Sequence, residues 1–421
     1  MDEPKKILII RPDAIGDMVL TFPAIQAVKD KFPQAEITLL ATPYTAPLLA
    51  AYSPVQRVIY DYDLKKYSFD LSINFYNQFN DTYAAYRAGI PLRLGDSSRI
   101  LTAWMNNLKV FRRWDDFTRH EVEFNFDLLK PLGIKISEHK PKINIPAGPA
   151  LQDKAVGLHI GSKTSSSWQA AGFIELANWL SKERKKIVYL LGGPADKEKG
   201  EAIMRACDGP VINLAGQQDL AGLIRAISQL QFFVGMDTGA THLAALLNIP
   251  LVMICQNRKA TPLRWGPWQT RHQVVVPMLG AAQATARQVI DASIIVLEGG
   301  GAISREEALH HWAKQALGMA IVHDESNRDR AEKLAGWLEA GNYRHYLTQG
   351  KNFRELLDFF ISHDTLIIHQ VGHSAGIMPW LAQQLTGSYL ASRAVLVKDQ
   401  PGSYHDTNSL INYYFSAARK A

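Results

Sequence analysis

The sequence predicts an α/β protein built from two doubly wound domains facing across a cleft, followed by a smaller α/β segment. Three observations carry this. Short apolar runs alternate with longer helical patterns from residue 5 to about 300, which signals βαβ units and mainly parallel sheets. A stretch holding Pro141, Pro146, Gly148 and Pro149 interrupts the alternation, and the pattern then restarts. The length, 421 residues, exceeds one ordinary domain. Boundaries are placed at 1–150, 151–300 and 301–421.

Residues 6–10 read as a buried first strand and 19–32 as a helix interrupted early by Pro23. Strands are expected at 36–41, 55–60 and 70–75, the last closing on Asn74, Asn77 and Asn80. After the linker, strands are expected at 155–160, 186–191, 211–214, 230–235 and 251–255. Helices at 173–182, 197–206, 219–227 and 240–247 lie between them. Glu298-Gly299-Gly300-Gly301 separates the third segment, where Ser304 and Glu307 form a capping box and strands fall at 320–323, 344–347, 365–371 and 394–397.

Composition narrows the function. Nearly half the residues are apolar and a fifth charged, as in a globular protein with substantial cores. No signal peptide and no apolar window of about 20 residues is visible, so a cytoplasmic protein is expected. Cys207 and Cys255 form no disulfide framework and no metal-ligand spacing, so neither metal nor cofactor is expected. The net charge of +6 favours anionic partners, and no nucleic-acid-binding pattern accompanies it.

Two constellations sit where strands give way to helices. Asp237-Thr238-Gly239, with His242 three residues on, opens a helix whose first amides lack internal partners, a ready anion site. Gly239 permits close approach of a ligand to the backbone. The bland alternative is a capped helix. At the other end, Arg11-Pro12-Asp13-Ala14-Ile15-Gly16-Asp17 follows the first strand, with Gly16 allowing a tight turn. Asp17 is then either an N-cap or a general base held at a fixed position. Asp13 is the rival base. Arg11 either orients Asp17 and touches an acidic acceptor, or makes a surface salt bridge.

Residues 9–23, together with Asp237-Thr238-Gly239-Ala240-Thr241-His242, resemble glycosyltransferase family 9, the ADP-heptose:lipopolysaccharide heptosyltransferase family. The stretches 67–74, 120–134 and 188–194 agree, so the likeness covers residues 5 to about 300. It implies the GT-B architecture of two Rossmann-like domains, with the donor held mainly by the second and the acceptor by the first. It also implies inversion at the anomeric centre without a bound metal. Asp17 would be the catalytic base. Asp237, Thr238, Gly239 and His242 would hold the donor's nucleotide and diphosphate, and Gln218 would touch the nucleoside. The lysine that family members place two residues before Trp168 is replaced by Ser166. Lys163 in the same loop either reaches the phosphates or is solvated, and Ser162 adds a hydroxyl.

The implied partners are a nucleotide-sugar donor, ADP-heptose, and an anionic lipid-linked saccharide at the cytoplasmic face of the inner membrane, bound peripherally. Arg11, Asp13, Asn74, Arg112, Arg113 and His120 are the candidate acceptor contacts. Residues 99–119 interleave basic and aromatic side chains, which suits either an anionic membrane surface or a solvated helix with its aromatics in the core. Two rival readings stand beside transfer: a non-catalytic nucleotide-sugar-binding protein of the same fold, and a serine hydrolase centred on Gly372-His373-Ser374-Ala375-Gly376. The hydrolase would draw on Asp399 and His405, but its segment is short of strands; otherwise Ser374 is a helix cap.

Overall fold

The computed structural model describes residues 3–112, 119–136, 140–162, 168–255, 262–277 and 283–302, and beyond them 317–323, 328–340, 344–348, 365–371 and 394–398. Arg113, Lys163, Ser166, Ser304, Glu307, residues 372–376, Asp399 and His405 lie outside the described residues. The chain gathers into two units: Met1–Gln256 with Arg264–Val275 and Thr285–Ser304, and Asn257–Leu263 with Val276–Ala284 and Arg305–Ala421.

The first unit holds two lobes, each a six-stranded parallel sheet. In the first lobe the strands are β1 (Lys6–Ile10), β2 (Glu36–Leu40), β3 (Arg57–Ile59), β4 (Leu71–Asn74), β5 (Leu92–Asp96) and β6 (Leu108–Val110). They are ordered β3-β2-β1-β4-β5-β6. The second lobe has β7 (Ala155–His159), β8 (Ile187–Leu191), β9 (Val211–Asn213), β10 (Phe232–Met236), β11 (Leu251–Ile254) and β12 (His272–Val275). Their order, β12-β11-β10-β7-β8-β9, is the same doubly wound arrangement. The four apolar residues of β1 and all of β10 are buried, as near-continuous apolar runs in a sheet covered on both faces require. Each such Ile or Leu contributes roughly 1.5–3 kcal/mol of burial.

Two expectations about the first helix need correction. It runs Ile15–Lys31 with Ala14 as N-cap, so Asp17 stands inside the first turn and caps nothing. It also continues through Pro23. An interior proline costs about 3 kcal/mol, but most of this helix is buried, and that packing offsets one lost hydrogen bond.

Strands β5, β6 and β12 and the helix Ala286–Leu297 were not anticipated. Arg93, Gly95 and Asp96 spoil the apolar pattern of β5. A buried ion pair explains how Asp96 is tolerated: Arg112 Nε donates to its Oδ2 at 3.1 Å, with both side chains fully enclosed.

The second unit contains β13 (Leu317–His323), β14 (Arg344–Thr348), β15 (Thr365–Val371) and β16 (Ala394–Lys398), all parallel, in the order β14-β13-β15-β16. Its helix Arg328–Ala340 buries Ala331, Leu334 and Ala335, an i, i+3, i+4 stripe. Both cysteines are free thiols.

Candidate active site

In each lobe of the first unit the sheet order reverses between two neighbouring strands, β1 and β4 in one and β7 and β10 in the other. Loops leaving the carboxyl ends of such a pair diverge to opposite faces and leave a crevice. Arg11, Asp13 and Asp17 follow β1, and Asn74 ends β4 with Phe75 after it. Ser162 follows β7, and Asp237, Thr238, Gly239 and His242 follow β10. In sequence Asp17 and Asp237 stand more than 200 residues apart; the topology assigns all of these groups to switch points.

The starts of two helices, Ile15–Lys31 and Gly239–Leu246, meet. A Cβ at Gly16 would lie 2.9 Å from His242 Cδ2, and one at Gly239 would lie 2.9 Å from Ile15 Cβ and 3.2 Å from the Gly16 nitrogen. Neither glycine has a positive φ. Gly16 therefore does not serve a tight turn, and the nearest neighbour of Gly239 is the other lobe's helix. Both glycines let the two helix starts approach closely.

Arg11 is buried and does not make a surface salt bridge. Its Nη1 donates to the Phe75 carbonyl at 2.9 Å, its Nη2 donates to Asp17 Oδ1 at 3.0 Å, and Glu121 Oε1 lies 3.6 Å away. Asp13 Oδ2 is 3.8 Å from its Nε, while Oδ1 accepts from the Ala14 amide at 2.8 Å. Burial pushes the Asp17 carboxyl above its ordinary pKa. Arg11 and His242 oppose that shift, and Asp13 and Glu121 add to it. The result is a more basic carboxylate that remains 24 % exposed, so it is reachable by a substrate.

On the second lobe Thr238 is the helix N-cap, yet its side chain caps nothing. Its Oγ1 is buried without a protein partner, and so are Gln218 Oε1, His242 Nδ1 and His159 Nδ1. Buried polar atoms are normally satisfied, so the unpartnered Thr238 Oγ1 and His242 Nδ1 at the start of the helix Gly239–Leu246 suit a polar ligand. His242 Nε2 lies 3.7 Å from Asp237 Oδ1. His159, which sequence reasoning missed, is held down to about 4 by desolvation and stays neutral at physiological pH. Among the described residues no group of three or more His, Cys, Asp or Glu side chains could hold a metal ion.

Several expected acceptor contacts are occupied in the fold. Asn74 Oδ1 accepts from the Tyr76 and Asn77 amides and its Nδ2 donates to Thr82, so it shapes the turn after β4. Arg112 is enclosed with Asp96 and reaches the Phe75 carbonyl at 3.4 Å. His120 caps the helix Glu121–Leu128 through Nδ1, while its Nε2 donates to the Gly266 carbonyl of the second lobe at 2.9 Å. With both nitrogens used, its ring is locked as the Nε2–H tautomer. The contacts described for all three are internal to the fold. A pattern of residue types cannot distinguish a binding arginine from a buried structural one.

Glu121 and Arg264 were also missed. Arg264 Nε and Nη2 donate to Glu121 Oε2 at 3.2 and 3.1 Å, and both residues are buried. No local signal marks either one, because they are 143 positions apart.

The family model described as "Glycosyltransferase family 9 (heptosyltransferase)" matches residues 61–290. Lipopolysaccharide heptosyltransferase 2 of Escherichia coli K12 is 24% identical over 286 residues, covering 59% of this chain and 82% of that protein. Among solved structures, a family 9 glycosyltransferase from Veillonella parvula superposes with a TM-score of 0.63 at 20% identity, covering 71% of this chain and 99% of that one. The E. coli ADP-heptose lps heptosyltransferase II gives 0.61 at 22% identity, with 70% and 98% covered. These neighbours share the arrangement of two Rossmann-like lobes described above.

Proposed function

The chain belongs to glycosyltransferase family 9, and we propose that it moves a heptose from ADP-heptose onto a lipopolysaccharide or lipooligosaccharide core, with inversion and without a bound metal. The observation that carries this reading is the close approach of the two helix starts at Gly16 and Gly239, with His242 near enough to Asp17 to influence its charge. The E. coli relatives, a lipopolysaccharide heptosyltransferase and an ADP-heptose lps heptosyltransferase, support the donor and acceptor classes.

In this mechanism an acceptor hydroxyl attacks the anomeric carbon while Asp17 takes its proton. The bond from that carbon to the diphosphate oxygen breaks, and ADP leaves with the electron pair. Attack opposite the leaving group inverts the centre. The leaving charge is met by the amides opening the helix Gly239–Leu246 and by Thr238 and His242. Ser162 and Lys163 would add a hydroxyl and a cation, and Gln218 would hold the nucleoside. Arg11 acts by fixing Asp17, and Asp13 lines the acceptor side.

The test uses Asp17→Ala with ADP-heptose. Donor binding retained with transfer abolished supports the reading. Intact transfer removes the base assignment, and binding without transfer in the unsubstituted protein favours the non-catalytic binder.

A lipid-anchored acceptor calls for a membrane-facing surface at the cytoplasmic side of the inner membrane, and the first lobe presents a suitable one. Among the described residues, no helix is long and apolar enough to cross a membrane. Phe79, Tyr83 and Tyr86 lie exposed along the helix Phe79–Arg87, with Phe79 stacked on Tyr83 at 5.7 Å and Tyr86 edge-on to Trp104 at 5.0 Å. Ile100, Leu101 and Phe111 are exposed close by in sequence. Arg87, Arg99 and Lys109 are exposed in the same stretch, while its two acids, Asp81 and Asp96, are buried. Aromatic and basic groups without exposed acid suit anionic headgroups. Flotation with anionic vesicles at low salt should recover the protein. Failure to float there would count against membrane docking and leave the transfer reading untouched.

A further inference from the structure

The link between Glu121 and Arg264 is separate from the groups expected to touch donor or acceptor, and it leads directly to Asp17. Two Arg264 hydrogen bonds, from Nε and Nη2, end on one carboxylate oxygen, Glu121 Oε2. The other oxygen, Oε1, faces Arg11 Nη2 at 3.6 Å, and that same Nη2 donates to Asp17 Oδ1 at 3.0 Å. The chain of contacts therefore runs Arg264–Glu121–Arg11–Asp17, from the second lobe to the candidate base. The Arg264 guanidinium also packs over the Phe124 ring at 4.7 Å, which fixes its approach.

Alternating signs give the arrangement its effect. Glu121 and Asp17 compete for one guanidinium. With Arg264 in place, the Glu121 charge is answered from the second lobe and Arg11 can be given to Asp17. Without Arg264, the buried Glu121 carboxylate would draw Arg11, whose Nη2 already lies 3.6 Å away, toward itself, with Arg112 the other cation that feels its charge. The groups facing Asp17 are Arg11 and Asp13 after β1, Tyr76 after β4, Glu121 from the helix Glu121–Leu128, and His242 from the second lobe. Arg264 stands behind Glu121.

We infer that Arg264 and Glu121 are positioning residues: Arg264 of the second lobe, acting through Glu121 and Arg11, sets the orientation and basicity of Asp17. This rests on Asp17 as the base and adds that the base is completed by a residue of the opposite lobe. A glycosyl donor bound to the second lobe would then meet a prepared base only while the lobes are together, which protects it from adventitious attack by water. The His120–Gly266 bond and the His120–Trp268 ring contact at 4.6 Å join the lobes independently. Loss of Arg264 therefore need not part them.

The test titrates Asp17 directly. Full-length protein carrying ¹³C-labelled aspartate carboxyls is titrated by NMR, with the Asp17 signal assigned by its loss in Asp17→Asn. Arg264→Met should raise the Asp17 midpoint by about one pH unit, the low end of what losing a contacting opposite charge does. Arg264→Met combined with Glu121→Gln should return it to the original midpoint or below, because the competing charge is gone. Glu121→Gln alone should lower it, which keeps the test available if Arg264→Met does not fold. A purely structural link would lower Tm in all three variants without this ordered movement. An unmoved midpoint in Arg264→Met, or in Glu121→Gln where the former does not fold, overturns the inference. So does a double variant as displaced as the single one. Transfer assays of Asp17→Asn separately judge the base: transfer surviving there removes the catalytic reading, while the titration still decides whether the chain of contacts exists.

Discussion

Replacing Gly239 by Ala tests whether the two helix starts must touch. The added Cβ would lie 2.9 Å from Ile15 Cβ, 3.0 Å from Ile15 Cγ2 and 3.2 Å from the Gly16 nitrogen. Carbon atoms pack at about 3.5–4.0 Å, so the helices must separate by roughly 0.5–1 Å. None of the obstructing atoms is the far end of a flexible side chain, so the strain cannot be relieved by a rotamer change. Overpacking of this kind costs about 1–3 kcal/mol, against a helix-propensity gain of at most about 1 kcal/mol. The clash wins, and Tm should fall by roughly 2–8 °C. Activity should suffer more than stability. A misplacement of about 1 Å between reacting groups can cost on the order of 10²-fold in rate, and here it would fall between the helix start that carries Asp17 and the turn proposed to hold the donor. Thermal unfolding followed by tryptophan fluorescence, with ADP release from ADP-heptose in the presence of acceptor, reads both effects. A variant with unchanged Tm and transfer within about twofold of the parent would refute the reasoning from contact distances.

Other expectations follow from the same geometry. Asp17→Asn should abolish most transfer, by about 10²–10⁴-fold, without lowering Tm at pH 7. The folded protein holds the Asp17 proton more tightly than the unfolded chain, so the ionised carboxylate costs stability above its unfolded pKa and the neutral amide removes that cost; a clear drop in Tm contradicts this. His159 works in the opposite direction to a stabilising histidine. With its pKa lowered from 6.5 to about 4, the unfolded chain takes the proton first, and stability falls as pH drops through that window. His159→Gln should flatten the urea-derived stability slope between those pH values by up to one proton, and an unaltered slope rejects the idea. Arg112→Leu removes the guanidinium paired with the buried Asp96 carboxylate, a loss of about 3–5 kcal/mol; a denaturation midpoint near that of the parent would show that the pair is dispensable.

Much of the framework was legible in the residues themselves. Short apolar runs such as 7–10 and 232–236, bounded by polar residues, read as buried strands, and both site motifs sit where those runs end. The strands that escaped notice carry their own reasons. β6 is three residues long at a sheet edge, and β5 places Arg93 and Asp96 where an apolar pattern is expected. In each case the compensation is tertiary: Arg112 answers Asp96, and Arg93 Nε donates to the Met105 carbonyl at 2.7 Å. The helix through Pro23 escaped for the same reason, since local propensity was outweighed by packing on both sides.

The candidate site divides along similar lines. Asp17, Thr238, Gly239 and His242 could be named from the sequence because each belongs to a short motif at a strand-to-helix junction, where the backbone alone creates a polar, partly unsatisfied end. Arg112, His120 and Asn74 have the right residue types for binding, yet the fold spends them on Asp96, Gly266 and the turn after β4. Periodicity and capping chemistry act over a few residues, so the chain by itself determined two parallel sheets, their helices and the motifs at their ends. Which glycines press together, which carboxylate Arg11 holds, and that Arg264 answers Glu121 depend on contacts between residues more than a hundred positions apart. Only the packed lobes decide those, because a hydrogen bond or an ion pair is set by distance in space, and distance along the chain carries no record of it.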